Sequence, residues 1–234
     1  ALVRDGNDAQ KASAAFALLQ SRNSPSPTSS TSGFSLATHH RHAILDTIRE
    51  AGGIPPLVAL VRDGNDAQKE YAAAALSNLA ECDDNRIAIA EAGGIPPLVA
   101  LIRDGNDAQK ANAAGALWCL AVNDDNQIAI AQAGGIPPLV ALVRDGTDAQ
   151  KASAAAALGC LSNCADNRIP IAEAGGIPPL VALICDGNDT QKQYAAGALQ
   201  NLAGCADNKV AIAEADGIPP LVALVRDGND AQKE

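Results

Sequence analysis

NRIAIAEAGGIPPLVALIRDG, residues 85–105, runs through a short polar turn into AAGALWCLA at residues 113–121. Three helices are written here, with a different stop after each. Gly93-Gly94 closes the first, because glycine takes the left-handed conformation that ends a helix. Pro96-Pro97 opens the second, since the fixed φ of proline suits a first turn where no N–H is required. A residue before proline avoids the α region, so the second helix is expected to start at the second proline, Pro97 here and Pro56 one period earlier. Asp104-Gly105 stops it. Asn106 then stands where a third helix needs an N-cap, with Gln109 three residues on, the spacing of a capping box.

Working outward, the phrase GIPPLVAL recurs with its isoleucine at Ile54, Ile95, Ile136, Ile177 and Ile218, always 41 residues apart. Self-similarity at such a period is the signature of a repeat architecture. Four full periods are read, 54–94, 95–135, 136–176 and 177–217, with a partial first repeat over 1–53 and a partial last one over 218–234. The cap position is Asn65, Asn106, Thr147, Asn188 and Asn229 in turn, and every one can accept the capping bond. Three helices per 41 residues with short loops and no strand pattern predict an all-α solenoid and exclude a propeller of similar period.

Residues 1–11, ALVRDGNDAQK, are identical to residues 223–233. The chain therefore opens and closes inside a repeat. Neither end carries the polar capping repeat that an isolated solenoid needs. The expectation is a longer natural protein, or a cover over these ends, including end-to-end self-association. The first repeat is also longer than the others, through a Ser/Pro/Thr-rich insertion at about 21–38, read as a loop with little to bury. Ser24-Pro25 and Ser26-Pro27 within it have the pattern of proline-directed phosphorylation sites.

Composition narrows the function. Net charge is −10, with 27 acidic against 17 basic residues. Nucleic-acid binding needs clustered Lys and Arg, so nucleic acid is not expected as a partner; a neutral or basic polypeptide is. No apolar run approaches the roughly 20 residues of a membrane span, and no direct membrane insertion is expected. The six cysteines form no C-x-x-C pair and fit a reducing setting, cytoplasmic or nuclear. Cys119 and Cys160 lie one period apart, as do Cys164 and Cys205. Helices stacked side by side sit about 8–10 Å apart, too far for a disulfide. Cys160 with Cys164, and His39, His40 and His42, carry metal-ligating side chains, but neither set has the remaining ligands of a zinc site. The Asp-Gly-Asn-Asp turns lack the alternating oxygens of a calcium loop. They read as helix caps that leave an acidic rim. No phosphate-cradling loop, nucleophile elbow or metalloprotease helix is present. Neither an enzyme nor a cofactor is expected.

At this point the resemblance is specific. NRIAIAEAGGIPPLVALIRDG followed by AAGALWCLA resembles the armadillo family, as found in plant U-box ubiquitin ligases, catenins and importins, over about nine-tenths of the chain. The resemblance implies a right-handed superhelix of stacked helix triplets, with a concave groove lined by the third helices that binds extended peptides or partner proteins.

The repeats can be compared with each other. Along the third helix, at roughly 100° per residue, Gln68, Lys69, Ala72, Ala73, Ala75, Leu76 and Leu79 share one arc of about 160°, and each has the same residue type at every +41 position. The opposite arc changes. Tyr71 becomes Asn112, Ser153 and Tyr194; Ala74 becomes Gly115, Ala156 and Gly197; Ser77 becomes Trp118, Gly159 and Gln200; Asn78 becomes Cys119, Cys160 and Asn201; Glu81 becomes Val122, Asn163 and Gly204. Drift of a solvent-facing stripe would vary too, but it would touch the other helices as much, and the second helix changes little. Recognition is therefore the preferred reading. The site assigned is Tyr71, Asn78, Glu81, Asn112, Trp118, Cys119, Ser153, Cys160, Asn163, Tyr194, Gln200 and Asn201, with Tyr71, Trp118 and Tyr194 as aromatic anchors and Phe16 as a fourth aromatic contact or a plug.

In importin-like relatives a groove tryptophan and an asparagine one turn later clamp the ligand backbone. Asn78 and Asn201 match that asparagine, but Cys119 and Cys160 replace it elsewhere, and Ala74, Gly115, Ala156 and Gly197 stand at the tryptophan position. No intact pair survives, so binding of the importin kind is not expected. The expected function is a non-catalytic scaffold that holds a segment of a partner protein. The alternatives are the substrate-recognition array of a larger ubiquitin ligase, and a structural array stacking end to end.

Overall fold

The computed structural model describes residues 33–228, with side chains from His42 onward. Among the described residues there are fourteen helices and no strand. They fall into two compact units that divide between Asn123 and Asp124. The first holds α1 Gly33–Glu50, α2 Ile54–Asp63, α3 Asp66–Leu79, α4 Asp83–Glu91, α5 Ile95–Asp104 and α6 Asp107–Leu120. The second holds α7 Asp124–Gln132, α8 Ile136–Asp145, α9 Asp148–Leu161, α10 Ala165–Glu173, α11 Ile177–Asp186, α12 Asp189–Leu202, α13 Ala206–Glu214 and α14 Ile218–Asp227. The N-terminal residues 1–32, which include Phe16 and both Ser-Pro pairs, lie outside the described residues, as does the Asn229 cap. Helix α1 begins at Gly33, inside the stretch read as a loop, just past its Pro-containing part.

The corner between the first and second helices follows from its two glycines. Gly93 takes φ +73°, and its N–H bonds the Ala90 carbonyl at 2.9 Å. The N–H of Gly94 reaches back to Ile89 at 2.9 Å. A side chain on Gly94 would come within 2.7 Å of Ile89 Cγ2, so this position is closed to anything larger. In the last copy of the corner Asp216 replaces the first glycine and adopts φ +56°, which Asp tolerates better than most residues. The outcome is a near right angle in the second unit: α7 meets α8 at 87°, and α10 meets α11 at 84°.

The second helix starts two residues earlier than the proline rule predicts, at Ile54 and its equivalents. The cause is visible in the bonding. Its first helical N–H bond is from the leucine after the prolines, as Leu98 to Gly94 at 3.3 Å, so both prolines stand where no donor is needed.

The capping boxes form as expected at Asn65, Asn106, Thr147 and Asn188, each paired with its glutamine in both directions. The glutamine does more than cap. It is buried, and in both units it also reaches the preceding third helix: Gln109 Nε2 donates to the Asp66 carbonyl and Gln191 Nε2 to that of Asp148, both at 3.0 Å. A buried asparagine does the same for the first helix. Asn208 Nδ2 donates to Leu202 O at 3.2 Å and Arg168 O at 3.1 Å; Asn167 does so to Leu161 O and Gln127 O. The bonds to Leu161 O and Leu202 O fall at the C-terminal ends of α9 and α12, where the intrahelical donors run out, and the others tie one repeat to the next. Around them pack Leu57, Leu76, Leu79, Ile89, Leu98 and Leu117 in the first unit, and Leu139, Leu158, Leu161 and Ile171 in the second. Every constant alanine of the described third helices except Ala196, which is half-buried, is buried, and their small size lets stacked third helices approach closely.

Candidate functional site

The constant arc of the third helix faces inward. Gln68, Ala72, Ala73, Ala75, Leu76 and Leu79 are all buried. The variable arc is different: most of its residues are half-buried.

In the first unit, Tyr71, Glu81, Asn112, Trp118 and Cys119 are half-buried. Asn78 is 4% exposed, which corrects its placement on an accessible floor: the stacking of α6 on α3 closes over it. Asn112 Nδ2 donates to the Glu70 carbonyl on α3 at 3.3 Å, so it helps to brace that stack. Gly115 leaves room for Ser77, whose Oγ would lie 3.4 Å from any Cβ placed there.

In the second unit, Ser153, Cys160 and Tyr194 are half-buried, while Asn163 and Gln200 are exposed. Asn201, unlike Asn78, is half-exposed, and no described third helix stacks beyond α12. Its Nδ2 donates to Gly159 O at 3.1 Å and to Asn163 Oδ1 at 2.8 Å. Both N–H groups of that amide are therefore engaged within the second unit. Gly197 has open space where a Cβ would be.

All three aromatic side chains between residues 42 and 228 sit on third helices, Tyr71 on α3, Trp118 on α6 and Tyr194 on α12. A core built from aliphatic residues has no need of them there.

Two features escaped the sequence reading. Arg86 and Arg168 cap the C-terminal ends of α3 and α9: Arg86 Nε donates to Ala80 O at 2.8 Å, and Arg168 Nε to Ser162 O at 2.9 Å. Gly204 is tied to this, since a Cβ there would collide with the Arg168 guanidinium. The second feature is a row of exposed apolar residues one period apart on the first helices, Ile87 in one unit and Ile128, Ile169 and Val210 in the other. The signal was available: a position that stays aliphatic in every repeat.

The charge is uneven. Residues after Asn123 carry fourteen of the 27 acidic but seven of the 17 basic residues. At the end of every described second helix but α11 an arginine pairs with the next aspartate, as in Arg103–Asp104, where Nη2 and Oδ2 are 2.8 Å apart. The hydrogen bond from Arg103 holds the Asp104 carboxyl below the usual carboxylate range. Both groups are exposed, so the pair adds little to stability. Cys185 replaces that arginine in α11, which leaves Asp186 without it.

None of the six cysteines is joined in a disulfide. Among the described residues no group of three or more His, Cys, Asp or Glu side chains is placed to hold a metal ion. No single described helix is long and apolar enough to cross a membrane.

Stacked helix triplets with a constant buried arc and a variable half-exposed arc define a helical-repeat protein built to present a surface. The chain belongs to the armadillo/beta-catenin-like repeat family, whose model matches residues 44–81, 82–122, 123–166 and 164–204. No curated protein is similar enough in sequence to count as a relative. Among solved structures, a designed armadillo repeat protein in complex with the peptide (KR)4 is 26% identical, with a TM-score of 0.75 over 93% of this chain and 94% of that one. A computationally designed armadillo repeat protein for modular peptide recognition is 27% identical, with a TM-score of 0.76 over 93% and 94%. An engineered protein gives 27% identity and a TM-score of 0.86 over 99% and 89%.

Proposed function

We propose that the chain is a non-catalytic scaffold that grips an extended or helical segment of a partner protein along the third helices. The observation that carries this is the placement of Tyr71, Trp118 and Tyr194, all on third helices and all half-exposed. Large amphipathic rings in that state are the usual anchors of protein interfaces. Glu81, Asn112, Cys119, Ser153, Cys160, Asn163, Gln200 and Asn201 complete the contact set, and Asn78 drops out because it is buried. The net charge of −10 favours a basic segment. A cytoplasmic or nuclear setting goes with this reading.

The peptide (KR)4, bound by one of the designed neighbours, supplies a probe. Trp118→Ala and Tyr194→Ala should each weaken its binding by about 2 kcal/mol, roughly thirtyfold, with helicity unchanged. Ile128→Ser, on the exposed row of the first helices, should leave binding as it was. Full affinity in both aromatic variants would remove the third-helix face as the site. The same face would serve as the substrate-recognition array of a larger ubiquitin ligase, the role that the plant U-box resemblance raises. A U-box in the same gene product would decide for it.

A further inference from the structure

We infer that the first helices of the second unit, α7, α10 and α13, form a docking face for a basic amphipathic helix of another protein. This face is separate from the third-helix surface and independent of what binds there.

Each of these helices holds one large aliphatic side chain out of the core. Ile128 is 45% exposed, Ile169 36% and Val210 58%. Helix α10 shows that a missing neighbour is not the cause. It packs against both α7 and α13, and its isoleucine still meets solvent. The core takes another residue from each helix: Ile130, Ile171 and Ile212, two positions on, are buried. Exposed Pro170 widens the apolar step at Ile169. The first unit carries the same feature at Ile87, 46% exposed. One exposed aliphatic residue is ordinary. Three on successive packed helices make a row.

The charges around the row select its occupant. Residues three before and four after a given position share its face of a helix. Three before stand Asp125, Asp166 and Asp207; four after stand Gln132, Glu173 and Glu214. All six are exposed. The ion pairs of the second unit, Arg144–Asp145 and Arg226–Asp227, use none of these carboxylates. Arg168, beside Ile169, is turned to the Ser162 and Asn163 carbonyls at the end of α9, and Lys209 is exposed beside Val210. The row thus runs between two acidic rails. An apolar stripe bordered on both sides by Lys or Arg matches it in sign.

Spacing selects a helix over an extended strand. Packed helices lie about 8–10 Å apart, which sets the step from one aliphatic side chain to the next. In an α-helix, residues seven apart rise about 10.5 Å and return to nearly the same face. In a strand, residues three apart span about 10 Å but point to opposite faces. A partner helix lying across α7, α10 and α13 meets the row once in every two turns.

The probe is a fluorescein-labelled peptide of about 21 residues, roughly 30 Å of helix, with a leucine stripe in heptad register bordered by lysine and arginine. Fluorescence anisotropy reads its binding to the 234-residue chain. Ile169→Ser, at an exposed site, should weaken binding about tenfold with helicity unchanged. Asp166→Asn combined with Glu173→Gln should weaken it by a similar factor and reduce its dependence on salt. The same peptide composition in scrambled order, without a stripe, should bind at least about tenfold less tightly. Trp118→Ala should leave this probe unaffected, and Ile169→Ser should leave (KR)4 binding as it was, so the two faces fail separately. Three results would each overturn the inference: no binding of the striped peptide, equal binding by Ile169→Ser, or equal binding of the scrambled peptide. Self-association in sedimentation velocity that Ile169→Ser abolishes would overturn it too, since the occupant would then be a second copy.

Discussion

Helices α8 and α14 share every residue of IPPLVALVRD, both follow a glycine, and both end at an aspartate before glycine. Their backbones match, with the N-cap glycine at φ −73° in one and −74° in the other. Their burial does not: Ile136 is 4% exposed against 54% for Ile218, and Val140 is 3% exposed against 59% for Val222. The ten residues specify the helix and which stripe is apolar. Whether that stripe is core or surface is decided by the residues that follow in space.

The sharpest way to break this comparison is to put the same charge into both helices. Val140→Asp should destabilise the chain by more than about 3 kcal/mol, since it buries an unpaired carboxylate, whereas Val222→Asp should stay within about 0.5 kcal/mol, as exposed changes do. Urea titration followed by circular dichroism reads both. Equal losses would mean that α14 is covered in solution even in the dilute chain.

A second test separates bonds within a repeat from bonds between repeats. Asn208→Ala removes two side-chain hydrogen bonds, to Leu202 O and to Arg168 O, and should cost about 1–3 kcal/mol. Asn85 bonds the Leu79 carbonyl at 3.0 Å, and its own Oδ1 has no partner. Asn85→Ala should therefore cost less. The reverse order would show that the link to the preceding repeat carries no weight.

The smallest effect belongs to the caps, which are local. Asn106→Ala and Asn188→Ala should each cost about 1 kcal/mol and agree with each other, one being in each unit. Hydrogen exchange at the first turns of α6 and α12 reports on it directly. A cap effect that depended on the unit would contradict a purely local origin.

Much of this was legible in the residues. Period, helix order, the left-handed Gly93 and Asp216, and the capping boxes rest on interactions spanning four residues or fewer, which a sequence displays. The proline rule alone misplaced the start of α2, because it weighs sterics at Ile54 and not the absence of any required donor at Pro55 and Pro56. The candidate site was legible as a set of changing positions, but not as a surface. Asn78 and Asn201 are the same residue at the same place in the period. Only stacking makes one buried and the other half-exposed. The Arg168–Gly204 contact was hidden for the same reason, since its two halves come from successive repeats.

The sequence by itself determined the order of the helices, their stops and caps, and which arc of each third helix is held constant, because backbone hydrogen bonding and side-chain periodicity act over a few residues. Tertiary structure alone decided which identical residues are core and which are surface, and that the Asn201 amide ties α12 to α9. Burial and long-range hydrogen bonds depend on which helix lies alongside, and neighbours in space are 40 or more residues apart in the chain.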